Sequence, residues 1–255
     1  MLRQLKALRV HTLPPRSSYI VSNTYPLLIW NNIIPYKAKF FAGLGIVALS
    51  IKNLHPNTII SCLPPLSIGS YFGYKRFRYL QYQNNSKLAN ENCGVVRFEK
   101  YDESRIENVL QGIENEYDSL TRQIVDVVEQ RVIEHVAEDK DEQVSKLFVH
   151  DDQFSMYVFP TEVETWITTE VKVDQDVVKF IKMSMPFYSN RDVEIRKRLG
   201  VVTVYLRQVP NSEYEDYNMY IEVSPLTWLK SKVLVIKEVP NMIKSKLFEE
   251  RNRSV

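Results

Sequence analysis

The chain has 255 residues, of which 44% are apolar and 25% are charged, a composition that fits a folded globular protein and excludes a disordered one. Its two cysteines, Cys62 and Cys93, are too few for a disulfide framework or a thiolate metal site, so we expect two reduced thiols. The net charge of +2 conceals a division, because residues 1–90 hold eleven Lys and Arg and no acid, whereas residues 91–255 hold 22 basic and 31 acidic side chains. The two parts are therefore under different physical demands.

The first nineteen residues have the pattern of a targeting signal. Leucines recur every three residues from Leu2 to Leu8, basic side chains do the same from Arg3 to Arg9, and a Pro-Pro pair ends the pattern. A short basic amphipathic helix without acids is typical of a mitochondrial presequence, because a secretory signal needs a continuous apolar core. We predict a presequence over residues 1–19, and the alternative is a surface helix of the mature fold.

Two uncharged stretches follow, and their lengths alone do not decide between a membrane span and a buried helix. Residues 40–51 are twelve uncharged positions and residues 57–74 are eighteen, joined by a His-Pro-Asn turn signal. A span needs about twenty apolar residues, but lysines at the ends of a shorter stretch can reach the headgroups with their side chains. We predict a transmembrane helical hairpin over residues 37–78, preceded by a lead segment over residues 20–36.

Three features of the hairpin favour lipid over a protein core. Aromatic residues gather near the basic ends of the stretches, as an interfacial belt requires, and small residues let two helices approach closely. The absence of acids is the third, because a soluble segment of this size normally carries both signs of charge. Against the hairpin stand Pro64 and Pro65, which kink the second helix, so a buried hairpin of a soluble fold is the alternative. The predicted interface anchors are Lys37, Lys39, Lys75, Arg76 and Arg78.

The same basic residues predict a topology. They lie at the outer ends of both stretches, whereas the turn between the stretches holds only Lys52 and His55. The positive-inside rule then places both ends of the chain on one side of the membrane. Together with a presequence, this predicts a multi-pass protein of the mitochondrial inner membrane with both termini in the matrix. A connector, residues 79–103, leads to a matrix domain over residues 104–255.

The carboxyl-terminal part has the pattern of one long helix followed by strands. Ser104 and Glu107 form a capping box, after which apolar residues recur at intervals of three and four and predict a helix of about 33 residues. Alternation of apolar and polar residues predicts strands at 147–151, 154–160, 165–173, 177–185, 201–209 and 217–225. A short basic helix over residues 190–199, ended by Gly200, and a closing helix at 241–253 are also predicted. The expected fold class is an α+β matrix domain, a long helix plus an antiparallel sheet, preceded by the transmembrane hairpin.

No sequence pattern indicates catalysis. The chain has seven glycines and no Gly-rich phosphate loop, and it lacks HExxH, CxxC and GxSxG patterns. His150, Asp151 and Asp152 are adjacent and cannot all face one ion, so we interpret them as a polar turn. His135 is interpreted as a surface residue of the long helix. We expect no enzyme activity, no cofactor, no metal and no small-molecule substrate.

Two charged regions remain as candidate binding sites. Residues 181–255 hold 13 basic and nine acidic side chains, and a cation cluster there suits a phosphate polyanion, such as a cardiolipin headgroup or ribosomal RNA. The candidate contacts are Lys244, Lys246, Arg251 and Arg253. The long helix carries acids on its other face, which suit either solvent or a basic partner.

The hairpin and its flanks resemble a known family. YPLLIWNNIIPYKAKFFAGLGIVALSI, residues 25–51, places a short uncharged segment before a Lys-flanked first stretch. IGSYFGYKRFRYLQY, residues 68–82, leads from the second stretch into an aromatic and basic exit. In this arrangement the chain resembles the mitochondrial two-span inner-membrane proteins that assist biogenesis of respiratory complexes, and among them it most resembles receptors of the mitochondrial ribosome. The resemblance offers no motif from which a functional residue carries over.

The resemblance implies a tether. Such a receptor holds the mitochondrial large ribosomal subunit, through its proteins and rRNA, near membrane lipid, the membrane insertase and nascent chains, and so assists membrane insertion of mitochondrially encoded proteins. The alternative is an assembly factor for a respiratory complex, which binds protein subunits through the acidic face of the long helix and not the ribosome.

Overall fold

A computed structural model of the chain describes residues 21–51, 56–99, 116–138, 148–150, 153–154, 156–173, 176–210, 212, 215–229 and 233–237. These residues include four α-helices, which are α1 Tyr25–Leu28, α2 Tyr36–Ile51, α3 Pro56–Ser86 and α4 Glu116–Glu138. A π-helical turn, Ile29–Ile33, continues α1.

The same residues include nine strands, seven of which form one antiparallel sheet. The strands are β1 Val95–Arg97, β2 Val149–His150, β3 Gln153–Phe154, β4 Tyr157–Val158, β5 Thr165–Val173, β6 Asp176–Tyr188, β7 Arg198–Gln208, β8 Asp216–Pro225 and β9 Leu234–Ile236. The sheet has the order β1-β8-β7-β6-β4, with β5 also beside β6 and β9 also beside β8. β2 and β3 form a separate two-stranded ribbon.

Four long strands, β5 to β8, form the centre of the sheet as an antiparallel meander. β5 pairs with β6 from Thr165↔Ser184 to Val173↔Asp176. β7 lies between β6 and β8 and pairs with both. Because successive side chains of a strand point to opposite faces, the paired residues divide into two sets, and each set covers one face of the meander.

The first face of the meander is apolar and packs against α4. In β6 it presents Ile181, Met183, Met185 and Phe187, all of which are fully buried. Val128 and Val132 of α4 belong to the same buried cluster, as does Phe98 after β1. Each such side chain contributes roughly 1.5–3 kcal/mol when it is fully removed from water. The apolar stripe of α4 is therefore the element that closes this side of the sheet.

The second face of the meander packs against the carboxyl-terminal end of α3. Phe180 of β6, Tyr205 of β7 and Tyr220 of β8 are buried there, with the partly buried Tyr82 and Leu88 packed against them. The sheet thus lies between α4 on the first face and the last turns of α3 on the second. One continuous helix, α3, connects this packed end with a long segment before it.

A charged pair holds the edge strand β1 on β8. The Arg97 guanidinium donates to both carboxylate oxygens of Asp216, at 2.6 Å from Nε and 3.1 Å from Nη2. The Ser212 hydroxyl donates to the same carboxylate at 2.8 Å. The hydrogen bonds from Arg97, which favour the charged carboxylate, lower the pKa of Asp216 from its ordinary value. The chain that follows α3 is therefore tied to the sheet immediately after it leaves the helix.

Gly200 lies in β7 where three strands approach closely. An added Cβ atom would lie 2.3 Å from the Ser224 carbonyl oxygen of β8 and 2.5 Å from the Phe187 ring of β6. The pairing of β6 with β7 shifts register between Phe187 and Tyr188, beside this point. The absence of a side chain at Gly200 is thus a packing requirement of the sheet.

Replacing Gly200 with alanine should lower the free energy of unfolding by about 1–3 kcal/mol, the usual cost of overpacking. Gly73→Ala is a matched control, because a Cβ added in that part of α3 meets no atom within 4 Å. The control should be neutral or gain up to about 1 kcal/mol of helix propensity. Urea unfolding of both variants, followed by circular dichroism, measures the difference, and equal stabilities would contradict the packing role of Gly200.

The predicted transmembrane hairpin is wrong, because no helix among the described residues is long and apolar enough to cross a membrane. α2 has 16 residues, about 24 Å of helix, and the hydrocarbon core of a bilayer is about 30 Å thick. α3 is longer, but its uncharged residues 57–74 include three serines, two prolines, two glycines and two tyrosines. The prediction treated an uncharged stretch as an apolar one, but residues 57–74 are uncharged and still contain many polar and small side chains.

The predicted fold class and localisation fail together with the hairpin. The described chain contains a seven-stranded sheet and four helices, and not a domain behind two membrane spans. The multi-pass inner-membrane localisation with both termini in the matrix depended on those spans, so the same finding contradicts it.

Several local predictions are corrected or lie outside the description. Residues 189–197 form bends and turns, so the basic helix predicted there is wrong, and Gly200 belongs to β7. The strand predicted at 154–160 is divided between β3 and β4. The presequence at 1–19, the first part of the long helix at 104–115 and the closing helix at 241–253 lie outside the described residues.

Candidate functional site

Helices α2 and α3 expose a large set of apolar and aromatic side chains. Sixteen of them, between Tyr36 and Leu80, each keep 45–80% of their area exposed. They are Tyr36, Phe40, Phe41, Leu44, Ile46, Val47, Ile60, Leu63, Leu66, Ile68, Tyr71, Phe72, Tyr74, Phe77, Tyr79 and Leu80. We call this set the apolar helical surface. Exposed apolar patches larger than a few hundred Å² usually mark a binding site.

The apolar helical surface surrounds each helix and does not form a stripe. In α2 every side chain from Phe41 to Ala48 is exposed, which is more than two turns of helix. In α3 the same is true from Leu63 to Phe77. The exposed apolar side chains of α2 and α3 therefore lie on more than one face of each helix.

The five predicted interface anchors flank this surface. Lys37, before the first stretch, and Lys75 and Arg76, after the second, are exposed to solvent. Their ammonium and guanidinium groups are therefore available to a partner at both ends of the surface. Their role as interface anchors stays a prediction.

The other two anchors, Lys39 and Arg78, contact nearby residues. The Lys39 ammonium donates to the Asn31 carbonyl oxygen at 3.4 Å and lies 5.7 Å from the centre of the Trp30 ring. The Arg78 guanidinium lies 5.0 Å from the centre of the Tyr82 ring in the next turn of α3. Both contacts have cation–π geometry, which fixes the cations at the ends of the apolar surface.

A buried ion pair fixes the chain before α2 to the sheet, and we call it the Ser22 clamp. Arg198 donates from Nη1 to Glu164 and from Nη2 to the Ser22 carbonyl oxygen, at 2.8 Å. The other Glu164 oxygen accepts the Ser22 backbone N–H at 3.5 Å. Beside the clamp, the Tyr25 backbone N–H donates to the Thr227 carbonyl oxygen at 3.0 Å. The Arg198 and Glu164 side chains are only 13% and 16% exposed, so solvent screens this pair weakly.

Replacing Arg198 with methionine should cost about 3–5 kcal/mol, because the Glu164 carboxylate is then left buried without its cation. The chain around Ser22 should loosen, and hydrogen exchange of the Tyr25 amide should accelerate. Hydrogen exchange with mass spectrometry measures this change.

The double variant Arg198→Met/Glu164→Leu is the control for the clamp. It leaves no buried charge, so it should recover part of the lost stability while the Tyr25 amide still exchanges fast. Unchanged exchange at Tyr25 in the single variant would contradict the clamp.

A polar network lies on the second face of the sheet. The Tyr205 hydroxyl donates to a Glu222 carboxylate oxygen at 3.0 Å, and the Lys182 ammonium lies 5.4 Å from the centre of the Tyr205 ring. In the next row, the hydroxyls of Ser184 and Thr203 are hydrogen-bonded at 3.1 Å. Polar groups that are buried and mutually hydrogen-bonded fix the relative position of the elements that carry them.

The environment of this network shifts several pKa values. Burial lowers the pKa of Lys182, and the Arg78 guanidinium of α3 adds to this, while Glu222 opposes it. Burial and the neighbouring Glu222 carboxylate raise the pKa of Tyr205. Burial likewise raises the pKa of Tyr220. Both phenols are therefore neutral at physiological pH, and Tyr205 serves as a hydrogen-bond donor to Glu222.

The acidic face of α4, predicted as a possible docking surface, is partly used inside the fold. A Glu129 carboxylate oxygen accepts the Val158 backbone N–H of β4 at 3.0 Å. Burial raises the pKa of Glu129. Glu134 pairs with Arg131 one turn earlier on the same helix, at 2.8 Å. Two acids of this face thus have structural partners.

The remaining candidate residues do not come together. The predicted ribosome or lipid contacts Lys244, Lys246, Arg251 and Arg253 lie outside the described residues, as do Asp151 and Asp152. His150 belongs to β2 and His135 to α4. Across the part of the chain that the structure describes, no three His, Cys, Asp or Glu side chains are placed to hold a metal ion. Cys93 is a free, buried thiol whose pKa is raised by that burial.

Sequence reasoning missed the Ser22 clamp and the polar network. The clamp joins residues that are 142 and 176 positions apart, and no local pattern marks such a pair. A signal for the network was present, since Lys182, Thr203 and Glu222 lie within the mostly apolar middle parts of their strands. Their convergence became visible only with the register of β6, β7 and β8.

Comparison with known proteins gives no match, since no family model, no curated protein and no solved structure matches the chain. The candidate site is therefore defined by the geometry of the apolar helical surface and its two attachments to the sheet.

Proposed function

We propose that the protein is an adaptor that attaches to the surface of a membrane through α2 and α3 and presents its sheet to a second partner. The observation that carries this proposal is the apolar helical surface, with basic residues at both of its ends. Moving a large apolar side chain out of water gains roughly 1.5–3 kcal/mol when burial is complete. Partial burial of a few of the sixteen side chains is then enough for stable attachment.

Lipid fits this surface better than a protein does. Acyl chains are fluid and adapt to apolar side chains that point in several directions, such as those exposed between Phe41 and Ala48. Tyrosine and tryptophan favour the boundary between headgroups and acyl chains, and Tyr71 and Tyr74 lie close to the basic residues Lys75 and Arg76 in α3. In this proposal α2 and α3 lie at one surface of the membrane, and no described helix is long and apolar enough to cross it.

Charge supports an anionic lipid surface. Residues 1–90 contain no acid, so no carboxylate near the apolar surface in this part of the chain repels anionic headgroups. Each Lys or Arg close to an anionic membrane surface contributes about 1 kcal/mol of attraction, and salt screens this attraction. Lys37, Lys75 and Arg76 are exposed and able to contribute.

The full chain should float with mixed phosphatidylcholine and phosphatidylglycerol vesicles in a density gradient. Lys75→Glu/Arg76→Glu should weaken vesicle binding by on the order of tenfold or more, because about 1 kcal/mol is lost for each cation and repulsion is added. The loss should shrink as salt is raised.

Lys87→Glu/Lys172→Glu is the matched control, because both lysines are exposed and lie outside the apolar surface. It should float like the unchanged chain. An unchanged chain that stays at the bottom of the gradient with these vesicles would overturn the proposed attachment.

The second partner in this proposal is the mitochondrial large ribosomal subunit, with the membrane insertase and nascent chains nearby. The excess of basic over acidic side chains in residues 181–255 supports a polyanionic partner. The alternative, an assembly factor that binds protein subunits through α4, has less support because Glu129 and Glu134 already have partners in the fold.

Reversing the charge of Lys244, Lys246, Arg251 and Arg253 should weaken cosedimentation of the chain with large ribosomal subunits. The loss of binding should be on the order of tenfold or more and should be largest at low salt, because counterion release drives such binding. Lys75→Glu/Arg76→Glu should leave cosedimentation unchanged, which separates the ribosome contact from the lipid contact. Absence of cosedimentation at low salt, with crosslinks from α4 to respiratory-complex subunits, would favour the alternative.

A further inference from the structure

One end of the sheet lies where the chain departs toward α2. β6 ends at Tyr188, β7 begins at Arg198 and β8 ends at Pro225, and the pairs Tyr188↔Arg198 and Gly200↔Pro225 place these three ends together. The Ser22 clamp attaches to Arg198 at the same place. We call this the proximal end of the sheet.

The connections at the proximal end expose large apolar side chains. Val193 and Ile195 lie in the turns between β6 and β7, and Trp228 and Leu229 follow β8. All four are 66–83% exposed, although connections of this kind are normally polar. They come from two separate parts of the sequence and lie at the same end of the sheet. The chance placement of a single exposed apolar residue does not account for four.

Internal contacts order the connections that carry these side chains. The Trp228 ring lies 5.3 Å from the Tyr25 ring, measured between centres, yet Trp228 remains 67% exposed. The turns between β6 and β7 are closed by the Ser189 N–H, which donates to the Lys197 carbonyl oxygen at 2.9 Å. Within these turns, a carboxylate oxygen of Asp192 accepts the Glu194 N–H at 3.1 Å. The apolar side chains are thus presented by connections whose backbone is internally hydrogen-bonded.

We infer that the proximal end is a second lipid-contacting surface, which inserts Val193, Ile195, Trp228 and Leu229 at the headgroup boundary of the membrane that α2 and α3 bind. This inference rests on the proposed function, and it sets the orientation, with the strands standing end-on to the membrane. Tryptophan favours this boundary because its ring is apolar and its N–H is polar. The partner at the proximal end is the same lipid that α2 binds, because the Ser22 clamp joins the chain before α2 to this end of the sheet.

Charge contributes little at the proximal end. Arg191 and Lys197 are exposed there, but Asp192 and Glu194 are exposed beside them, so the cations and acids balance. Arg191 lies 5.3 Å from the centre of the Tyr157 ring, and Arg196 pairs with Glu162 at 2.8 Å. Contact at this end is therefore apolar, and it should respond weakly to salt, unlike the contact of Lys75 and Arg76.

Quenching of tryptophan fluorescence by lipids brominated near the headgroup tests the inference in the full chain. The chain has three tryptophans, and the Trp30→Phe variant leaves the exposed Trp228 and the buried Trp166. Bound to phosphatidylcholine and phosphatidylglycerol vesicles that carry the bromine, this variant should lose a large part of its emission. Trp30→Phe/Trp228→Phe should show almost no quenching, because Trp166 lies in the core.

A second measurement does not depend on tryptophan. Val193→Ser/Ile195→Ser should lower vesicle affinity by about tenfold, because two apolar side chains no longer enter the boundary. Val177→Ser is the control, since Val177 is also exposed but lies at the other end of the sheet. Affinity should be equal for Val177→Ser and the unchanged chain.

The outcomes distinguish this inference from the proposed function. If the Trp30→Phe variant floats with the vesicles but its emission is not quenched, the proximal end does not touch lipid, while attachment through α2 and α3 stands. Equal vesicle affinity of Val193→Ser/Ile195→Ser and the unchanged chain would likewise overturn the lipid contact of the proximal end alone. If the unchanged chain does not float, both the proposed function and this inference are overturned.

Discussion

Both ends of an exposed apolar segment are fixed to one folded sheet, and the rest of the molecule follows from this constraint. At the first end, the Arg198 and Glu164 side chains hold the backbone of Ser22. At the other end, the last turns of α3 are packed on the second face of the sheet through Tyr82, and Leu88, just after the helix, packs against the same cluster. The apolar side chains of α2 and α3 therefore cannot retreat far from the sheet, and whatever covers them is brought close to it.

The sheet supplies the rigidity that this arrangement needs. Its first face is closed by α4 with apolar side chains, and its second face combines aromatic packing with the network of Lys182, Tyr205 and Glu222. α3 is continuous from its exposed part to its packed end, so a single helix joins the apolar helical surface to the sheet. The adaptor that we propose would need such a connection, since its two binding regions would have to keep a fixed relation.

Sequence patterns predicted the strands better than the segment before them. β5 was predicted to its ends because residues 165–173 are rich in Thr, Val, Ile and Trp, which favour strands. β6 was predicted to stop before Pro186, but that proline lies between the stretches that pair with β5 and β4, where a missing N–H costs little. The hairpin failed because lack of charge is not apolarity, and the Ser22 clamp was invisible because its partners are 142 and 176 positions apart. The exposed connections at the proximal end could be recognised as neighbours only from the register of β6, β7 and β8.

Spin labels on α2 and α3 test most directly whether the side chains of these helices contact lipid. In a chain whose two native cysteines are replaced by alanine, labels at Phe41 and Phe72 report accessibility to oxygen, which enters lipid, and to a water-soluble nickel complex. When the chain binds vesicles, both labels should become more accessible to oxygen and less accessible to the nickel complex. A label at the exposed Val177 should stay accessible to the nickel complex. Labels at Phe41 and Phe72 that remain accessible to nickel in vesicle-bound protein would contradict the account.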